Sequence, residues 1–260
     1  MNPLSIPKKQ CGLPIKEAVK RYPSLRQYIT NRNNHIDLGN SQALLLYNRL
    51  ILQDFLSLDF TIPPDFLVPT VCSRWAFISW IANDSPSIVL EIGTGASAIL
   101  ALILAKIGCF VEATEINEIA HKSALSNIRC NGLESKIVLI KINDRDRILP
   151  DKIGSLNRFD AIVCNPPQYD QDYYNQRRSY KKGFVGQESE LVGGKEGYEF
   201  IIKLIEEIND FSNPPSFYFQ LTVPKLSKVI DSYLRERNRS FIMDTITLGT
   251  RQRYYYKINY

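Results

Sequence analysis

The tripeptide Asn165-Pro166-Pro167 directly follows an apolar segment, residues 159–164. Proline has no N–H to donate and keeps the preceding residue extended, so this segment can expose two acceptors, the Asn165 side-chain oxygen and the Pro166 carbonyl. Two such acceptors can hold an exocyclic NH2 group, an arrangement that suits methyl transfer to an amino nitrogen. Asn-Pro also occurs in ordinary turns, so the tripeptide is informative only together with the rest of the chain.

A glycine-containing segment, Glu91-Ile92-Gly93-Thr94-Gly95-Ala96-Ser97, stands where a first predicted strand meets a first predicted helix. Glycines at this junction let the backbone turn sharply and approach a ligand closely. The dinucleotide fingerprint is incomplete because residue 98 is alanine, and no Gly-Lys-Ser/Thr follows to make a Walker A loop. A ligand without phosphates, such as S-adenosylmethionine, fits better, with its amino-acid part against the glycines.

Polar residues also follow the next two predicted strands. Glu115 ends the second strand, about 20 residues after the glycines, where an acid can bind both hydroxyls of a ribose. The alternative is that Glu115 only neighbours a helix N-cap, where the helix dipole favours an acid. Asn143 and Asp144 follow the third strand and are expected to border an adenine ring.

Strands alternate with helices from residue 87 onward, which predicts a parallel α/β sheet. Strands are predicted at 88–92, 109–114, 136–142, 159–163 and 216–222, followed by a hairpin of 241–247 and 253–259. Helices are predicted between them at 96–106, 116–130, 198–209 and 225–237. Before this region, helical spacing occurs at 22–29, 41–55 and 75–81, with scattered cations that form either a solvated face or an RNA-contacting surface.

Composition narrows the class of protein. The 260 residues carry a net charge of +5, which is consistent with a nucleic-acid partner. Five cysteines without a CxxC pair and two histidines argue against a metal site and favour a reduced, cytoplasmic setting. No apolar run reaches the length of a membrane span, and the N-terminus has no signal-peptide core.

Taken in order, strand–Gly-x-Gly, the acid after strand two and Asn-Pro-Pro after strand four resemble class I S-adenosylmethionine-dependent methyltransferases. More narrowly, residues 61–80 with 91–97, Gly193-Gly194 and residues 248–253 are similar to the adenine-N6 RNA methyltransferase family. The resemblance implies an α/β, Rossmann-like fold with a seven-stranded, mostly parallel sheet and flanking helices. The change near residue 87 from helices and loops to alternating strands and helices divides the chain into a helical N-terminal extension, 1–85, expected to contact RNA, and a methyltransferase domain, 86–260.

The same resemblance implies roles for individual residues, with S-adenosylmethionine as cofactor and RNA, ribosomal or otherwise structured, as partner. Arg74 contacts the cofactor's carboxylate, where a guanidinium can pair in a bidentate fork. Asn165 binds the target amine, also borders the cofactor, and forms the catalytic turn with Pro166 and Pro167. The cofactor-binding set is completed by Glu91, Gly93, Thr94, Gly95, Ser97, Glu115, Asn143 and Asp144.

The chain departs from the family after Asn-Pro-Pro, where Gln168 replaces the usual phenylalanine and Tyr169 follows. Residues 168–197 form a long connection of a kind that is usually functional or disordered, and we expect it to be mobile, with its glycines as hinges. Cations can follow a phosphate backbone while aromatic rings stack on bases. The predicted substrate contacts are therefore Gln168, Tyr169, Tyr173, Arg177, Arg178, Lys181 and Lys182.

Other functions stay open at this point. The connection 168–197 can be an inert flap. Residues 193–197 also resemble a segment of the release-factor glutamine methyltransferases, which methylate a side-chain amide. Finally, the fold can serve a non-catalytic RNA-binding subunit, although intact Gly93, Gly95, Glu115 and Asn165 argue against that.

Overall fold

A computed structural model describes residues 15–30, 35–36, 39–144, 146–149, 153–179, 185–249 and 251–260. In this part of the chain the strands are β1 (Ile29–Thr30), β2 (His35–Ile36), β3 (Ile88–Ile92), β4 (Phe110–Glu115), β5 (Ile137–Lys141), β6 (Ala161–Cys164), β7 (Ser216–Leu221), β8 (Ser240–Leu248) and β9 (Arg251–Asn259). Seven of them form one sheet in the order β5-β4-β3-β6-β7-β9-β8. The first five pair in parallel, and β9 and β8 are antiparallel additions at one edge. The predicted Rossmann-like fold is confirmed.

Helices cover both faces of this sheet. They are α1 (Ile15–Arg21), α2 (Ser41–Leu56), α3 (Val71–Ile81), α4 (Ile99–Lys106), α5 (Glu118–Cys130), α6 (Gln171–Ser179), α7 (Glu188–Leu191), α8 (Glu199–Asn209) and α9 (Pro224–Glu236). Helix α4 begins three residues later than predicted because Ala98 adopts a left-handed backbone, φ 52°, which ends the glycine segment. Helix α5 begins two residues later because the Asn117 side chain accepts from the N–H groups of Ile119 and Ala120 and caps it.

The N-terminal helices share a core with the sheet. Leu25, Ile51 and Trp75 belong to the same buried cluster as Val89 and Leu100. Helix α4 is buried on all sides over Ile99–Ala105, since it lies between the sheet and α3. A second buried cluster fills the other face, beneath α8 and α9. The helices α1 to α3 are therefore a packed layer of the structure, and α3 contacts the sheet directly, since the Phe77 ring packs against Tyr255 of β9.

The long connection after β6 contains more structure than its sequence predicted. Helices α6 and α7 lie within it, and residues 191–193 run beside Tyr169. A methyl group on Gly193 would come 2.4 Å from the Gly197 carbonyl oxygen and 2.5 Å from the Pro167 carbonyl oxygen. Gly193 is thus required for close packing, in contrast to the predicted hinge. Lys181 and Lys182 lie outside the described residues, as do the side chains of Arg177 and Arg178.

The structure corrects one expectation about the cysteines and shows where two of the scattered cations are engaged. Cys72 is disulfide-bonded, so a fully reduced set of cysteines is wrong, although Cys109, Cys130 and Cys164 are free. Two of the scattered cations are engaged within the protein: Arg21 pairs with Asp54 and Arg49 with Asp59, each at 2.5 Å. Within the described residues, no helix is both long enough and apolar enough to cross a membrane.

Candidate active site

The predicted site residues meet at the carboxyl edge of the parallel strands. The sheet order reverses between β3 and β6, because β4 lies on one side of β3 and β6 on the other. Ile92 is in register with Cys164, and Glu115 with Lys141, so these strands end together. Ligands of open α/β sheets bind at such a reversal point. The fold thus brings together the segments that follow β3, β4 and β6.

The glycine turn, residues 93–95, is stabilised by polar contacts with buried side chains on the side of the sheet. Gly93 and Gly95 have φ values of 68° and 70°, which glycine adopts without strain. The Thr94 hydroxyl donates to Glu91 Oε2 at 2.9 Å, and Glu91 is only 1% exposed. Ser97 Oγ accepts from the Ile99 N–H at 3.3 Å, at the start of α4. Glu91, Thr94 and Ser97 therefore support the turn, and their contact with a cofactor stays a prediction.

Burial raises the pKa of Glu91 to about 8, so its carboxyl is largely protonated at neutral pH. Burial also raises the pKa of Glu115, although the backbone N–H groups of Asn117 and Gly95 oppose that shift. Gly95 N–H donates to Glu115 Oε2 at 2.8 Å, and Asn117 N–H donates to Oε1 at 2.7 Å. Glu115 is thus fixed beside the second glycine, and it also neighbours the N-cap of α5, as the alternative interpretation held.

Arg74 approaches the same region from α3. None of the residues that the structure describes forms a hydrogen bond or an ion pair with its guanidinium. Burial, and secondly the positive charge of Arg253, lower the pKa of Arg74 to about 10, which leaves it protonated. Glu91 is the acid that acts on Arg74 electrostatically, and at neutral pH it is largely neutral. A half-buried guanidinium without a counter-charge is suited to bind a carboxylate.

The Asn-Pro-Pro turn, residues 165–167, is tied to the end of β7. Gln220 Nε2 donates to Asn165 Oδ1 at 3.0 Å. Gln168 Oε1 accepts from the N–H and hydroxyl of Thr222 at 2.6 Å and 2.9 Å, while its Nε2 donates to the Pro166 carbonyl at 3.5 Å. Gln168 is 7% exposed and belongs to the internal support of the turn. Its predicted contact with the substrate stays a prediction.

An aromatic pair lies directly after the turn. The rings of Tyr169 and Tyr173 stack with centroids 4.7 Å apart and planes 9° apart. Tyr169 is held by its backbone, which donates to the Leu191 carbonyl and accepts from the Gly193 N–H. Tyr173 is held by its own N–H, which donates to Asp170 Oδ1 at 2.6 Å. Tyr169 and Tyr173, two of the seven residues predicted to contact the substrate, therefore form one stacked pair that follows Asn165 closely in the chain.

The sequence profile of the Methyltransf_10 family, described as RNA methyltransferase, matches residues 9–247. The chain belongs to this family of RNA methyltransferases. A Methanocaldococcus jannaschii protein named as a methyltransferase is 32% identical, over 95% of this chain and 98% of that one. Ribosomal RNA large subunit methyltransferase F of Pectobacterium carotovorum is 29% identical, over 85% of this chain and 82% of its own length.

Two further relatives have names that specify a target. The U6 small nuclear RNA (adenine-(43)-N(6))-methyltransferase of Schizosaccharomyces pombe is 32% identical over 64% of this chain, and the match spans 47% of that protein. The hMettl16 catalytic domain, solved in complex with a MAT2A 3′UTR hairpin, shares the fold with a TM-score of 0.83 at 20% identity, over 94% of this chain and 90% of that one. The predicted family and the prediction of an S-adenosylmethionine-dependent methyltransferase are confirmed.

In this member of the RNA methyltransferase family, the structure adds a residue that the sequence did not indicate. Glu190, on α7, uses Oε2 to accept from the N–H groups of Leu67 at 2.9 Å and Gln187 at 2.8 Å. A methyl group on Gly95 would lie 4.0 Å from Glu190 Oε1. Burial raises the pKa of Glu190, and the charge of Glu115 adds to that shift. Glu190 and Glu115 thus both flank the second glycine.

The Gln187–Glu190 spacing forms a capping box, which can indicate the start of a helix. The spacing cannot indicate that α7 lies beside Leu67 and Gly95, which are far from it in the sequence.

Asn143 and Asp144 are exposed residues close in sequence to Ile142, which contacts Glu115. They follow β5, whose next residue, Ile142, donates its N–H to the Glu115 carbonyl at 2.9 Å. Asp144 Oδ1 accepts from the Asp146 N–H at 2.7 Å. Their contact with an adenine ring stays a prediction. The described part of the chain contains no group of His, Cys, Asp and Glu side chains arranged to hold a metal ion.

Proposed function

We propose that this protein transfers a methyl group from S-adenosylmethionine to the N6 amino group of an adenine in RNA. The observation that carries the proposal is the meeting of the Asn-Pro-Pro turn with the glycine turn and Arg74 at one sheet edge, in a chain of an RNA methyltransferase family. The names of the fission-yeast and bacterial relatives support adenine and structured RNA as the target class. The same proposal places the enzyme in the cytoplasm.

The cofactor fits the charges of the site. The uncompensated Arg74 guanidinium would hold the methionine carboxylate, and the glycine turn would let the ligand lie against the backbone. Glu115 keeps a free lone pair on each oxygen after its two backbone contacts, so it can accept from ribose hydroxyls. When bound, S-adenosylmethionine supplies an electrophilic methyl group on a sulfonium centre.

The target amine would be held by the Asn-Pro-Pro turn. Asn165 Oδ1 carries one hydrogen bond, from Gln220, and the Pro166 carbonyl carries one long contact, from Gln168, so each oxygen keeps a lone pair. The adenine amino group is a weak nucleophile because its lone pair is delocalised into the ring. Two acceptors favour the more pyramidal nitrogen of the transition state and hold it in attack geometry. Direct in-line transfer then needs no covalent intermediate on the protein.

The RNA would approach over the aromatic pair. A target adenine must be unpaired or extruded from a helix before it can reach Asn165. Tyr169 and Tyr173 offer a stacking surface there, and the cations at 177, 178, 181 and 182 follow directly in the sequence. Lys20 and Arg26 are exposed on the N-terminal layer and extend the proposed contact surface. Arg21 and Arg49 are paired with acids and add less to it.

The test is methyl transfer from labelled S-adenosylmethionine to total RNA, to defined structured RNAs and to a release factor, followed by nucleoside and peptide analysis. We expect N6-methyladenosine. Methylated glutamine without methylated adenosine would identify a protein methyltransferase, and binding of RNA without any transfer would identify a non-catalytic subunit.

Asn165→Ala separates the chemistry from cofactor binding. Because it removes one of the two acceptors for the amine, we expect a loss of kcat of about 100-fold or more while the Kd for S-adenosylmethionine, measured by calorimetry, changes only a few-fold. Retained turnover in this variant would contradict the role of Asn165.

A further inference from the structure

A continuous line of buried polar groups leads from the C-terminal strand to Asn165. Arg253 Nε donates to Ser73 Oγ at 3.2 Å, Ser73 Oγ donates to Gln220 Oε1 at 3.4 Å, and Gln220 Nε2 donates to Asn165 Oδ1 at 3.0 Å. Gln220 is 0% exposed, Ser73 2% and Arg253 9%. We call these four residues the Asn165 relay. They come from β9, α3, β7 and the turn after β6, so only the folded chain assembles them.

The hydrogen bonds of the relay all run in one direction, away from Arg253. A guanidinium has donors and no acceptor, so Ser73 Oγ must accept from Arg253. The single proton of the Ser73 hydroxyl is donated to Gln220 Oε1, so the Gln220 amide presents its oxygen to Ser73 and its NH2 to Asn165. Asn165 in turn directs Oδ1, and not its NH2, toward Gln220. The cation at one end thus favours one orientation of two amides that could otherwise be reversed.

Burying the Gln220 amide costs free energy unless its polar atoms form hydrogen bonds. Its neighbours along β7 are Phe219 and Leu221, and Tyr255 is its cross-strand partner, all of them buried. An amide in surroundings of this kind is stabilised only by its hydrogen bonds. The bonds that it makes lead to Ser73 and to Asn165, and the latter is the residue to which the proposed function assigns the target amine.

We propose that Gln220, oriented by Ser73 and Arg253, is a positioning residue that sets the rotamer of the Asn165 amide for catalysis. With one lone pair of Oδ1 bound by Gln220, the other is directed at the site, where it accepts from the target NH2. A rotated Asn165 would instead present its own NH2 to the substrate NH2, and two donors would face each other. The proposal rests on the proposed function, because it acts through Asn165.

Gln220→Met tests the proposal by keeping the volume and removing the donor. We expect kcat to fall about 10- to 100-fold while the Kd for S-adenosylmethionine and the KM for RNA change less than about threefold. Ser73→Ala should give a smaller loss, about 3- to 10-fold, because Gln220 is then free to rotate in part of the molecules. Ser227→Ala is the matched control, since Ser227 is a buried helix serine bonded to the Tyr256 hydroxyl at 2.8 Å, outside the relay.

Gln220→Glu gives a readout that loss of structure alone would not produce. When protonated, the introduced carboxyl can donate to Asn165 as the wild-type amide does; when ionised, it can only accept. At pH values where the variant remains folded, kcat relative to wild type should therefore rise as the pH is lowered, and the Gln220→Met variant should show no such rise. Equal pH profiles for the two variants, or wild-type kcat in Gln220→Met, would overturn the proposal.

A second measurement does not depend on the methyl acceptor. In protein labelled with 15N-asparagine, the side-chain NH2 signals of Asn165 are assigned by their loss in Asn165→Ala. They should shift in Gln220→Met and Ser73→Ala but stay in place in Ser227→Ala. Unshifted signals would overturn the relay itself, whereas shifted signals without any transfer to RNA would count against the proposed function and leave the relay intact.

Discussion

Replacing the buried carboxyl of Glu91 by an amide should change how the stability of the protein depends on pH. Burial raises the pKa of Glu91 from 4.5 to about 8, and the side chain is 1% exposed. Glu91→Gln keeps an oxygen for the Thr94 hydroxyl, which donates at 2.9 Å, so the glycine turn retains its support. The variant therefore removes the titratable carboxyl at position 91 and keeps the hydrogen bond from Thr94.

The sign follows from the two pKa values. Between about pH 4.5 and pH 8 the folded protein retains the Glu91 proton while the unfolded chain releases it, so raising the pH favours unfolding. The contribution is fully present below about pH 4.5, is lost progressively up to about pH 8, and does not change further above that. At about 1.4 kcal/mol per pH unit, the whole effect is at most about 5 kcal/mol of unfolding free energy.

The assay is the midpoint of thermal unfolding at pH 5 to 9 for wild type and Glu91→Gln. Relative to the variant, wild type should lose stability with rising pH, by roughly 10 °C in Tm over the range if each kcal/mol corresponds to about 2–4 °C. Glu134→Gln, the same substitution at an exposed position, is the matched control. Parallel curves for wild type and Glu91→Gln would refute the assignment of a neutral Glu91 and, with it, the uncompensated charge on Arg74.

Two further predictions concern the cofactor. Arg74→Ala should weaken S-adenosylmethionine binding about 10- to 100-fold in calorimetry, because a charge-assisted pair with the carboxylate is lost. Decarboxylated S-adenosylmethionine should bind to wild type and variant equally. A similar loss of affinity for both ligands would contradict the role of Arg74. Glu190→Gln removes a carboxylate that faces Gly95. It should lower the affinity for S-adenosylmethionine about 3- to 10-fold more than the affinity for S-adenosylhomocysteine, whose sulfur carries no charge. Equal losses of affinity for the two ligands would show that Glu190 does not act on the sulfonium.

Much of the fold was accessible from local patterns. Short apolar runs, separated by segments with helical periodicity, predict the strands β3 to β7 in the order in which the structure has them. The glycines and polar residues at the carboxyl ends of these strands predict the candidate active site. This works because parallel strands place all of their carboxyl ends at one edge, so chemistry close to a strand end in sequence is close in space. Boundaries were less accessible: α4 starts after Ala98 because that residue takes a conformation, φ 52°, that alanine rarely adopts.

Residues that depend on contacts between distant segments were not accessible in this way. Gln168 stands in the sequence position of a base-stacking aromatic, but Thr222, 54 residues away, binds its amide and makes it part of the turn. Glu190 reaches the glycine turn because Leu67, 123 residues away, donates to it. Neither partner is marked by a motif, since a backbone N–H is common to nearly every residue.

Gln220 shows that one signal in the sequence was nevertheless available. The stretch Phe217-Tyr218-Phe219-Gln220-Leu221 is otherwise apolar, and an interior strand of a sheet covered by helices is buried on both faces. A polar side chain inside such a strand must find a hydrogen-bonding partner within the core, because water cannot reach it. Gln220 lies near the carboxyl end of β7, next to the strand that precedes Asn165, and one of its two partners is Asn165. An isolated amide close to the carboxyl end of an otherwise apolar strand is therefore a signal, readable in the amino-acid sequence, of a buried hydrogen bond to a neighbouring segment, here to Asn165.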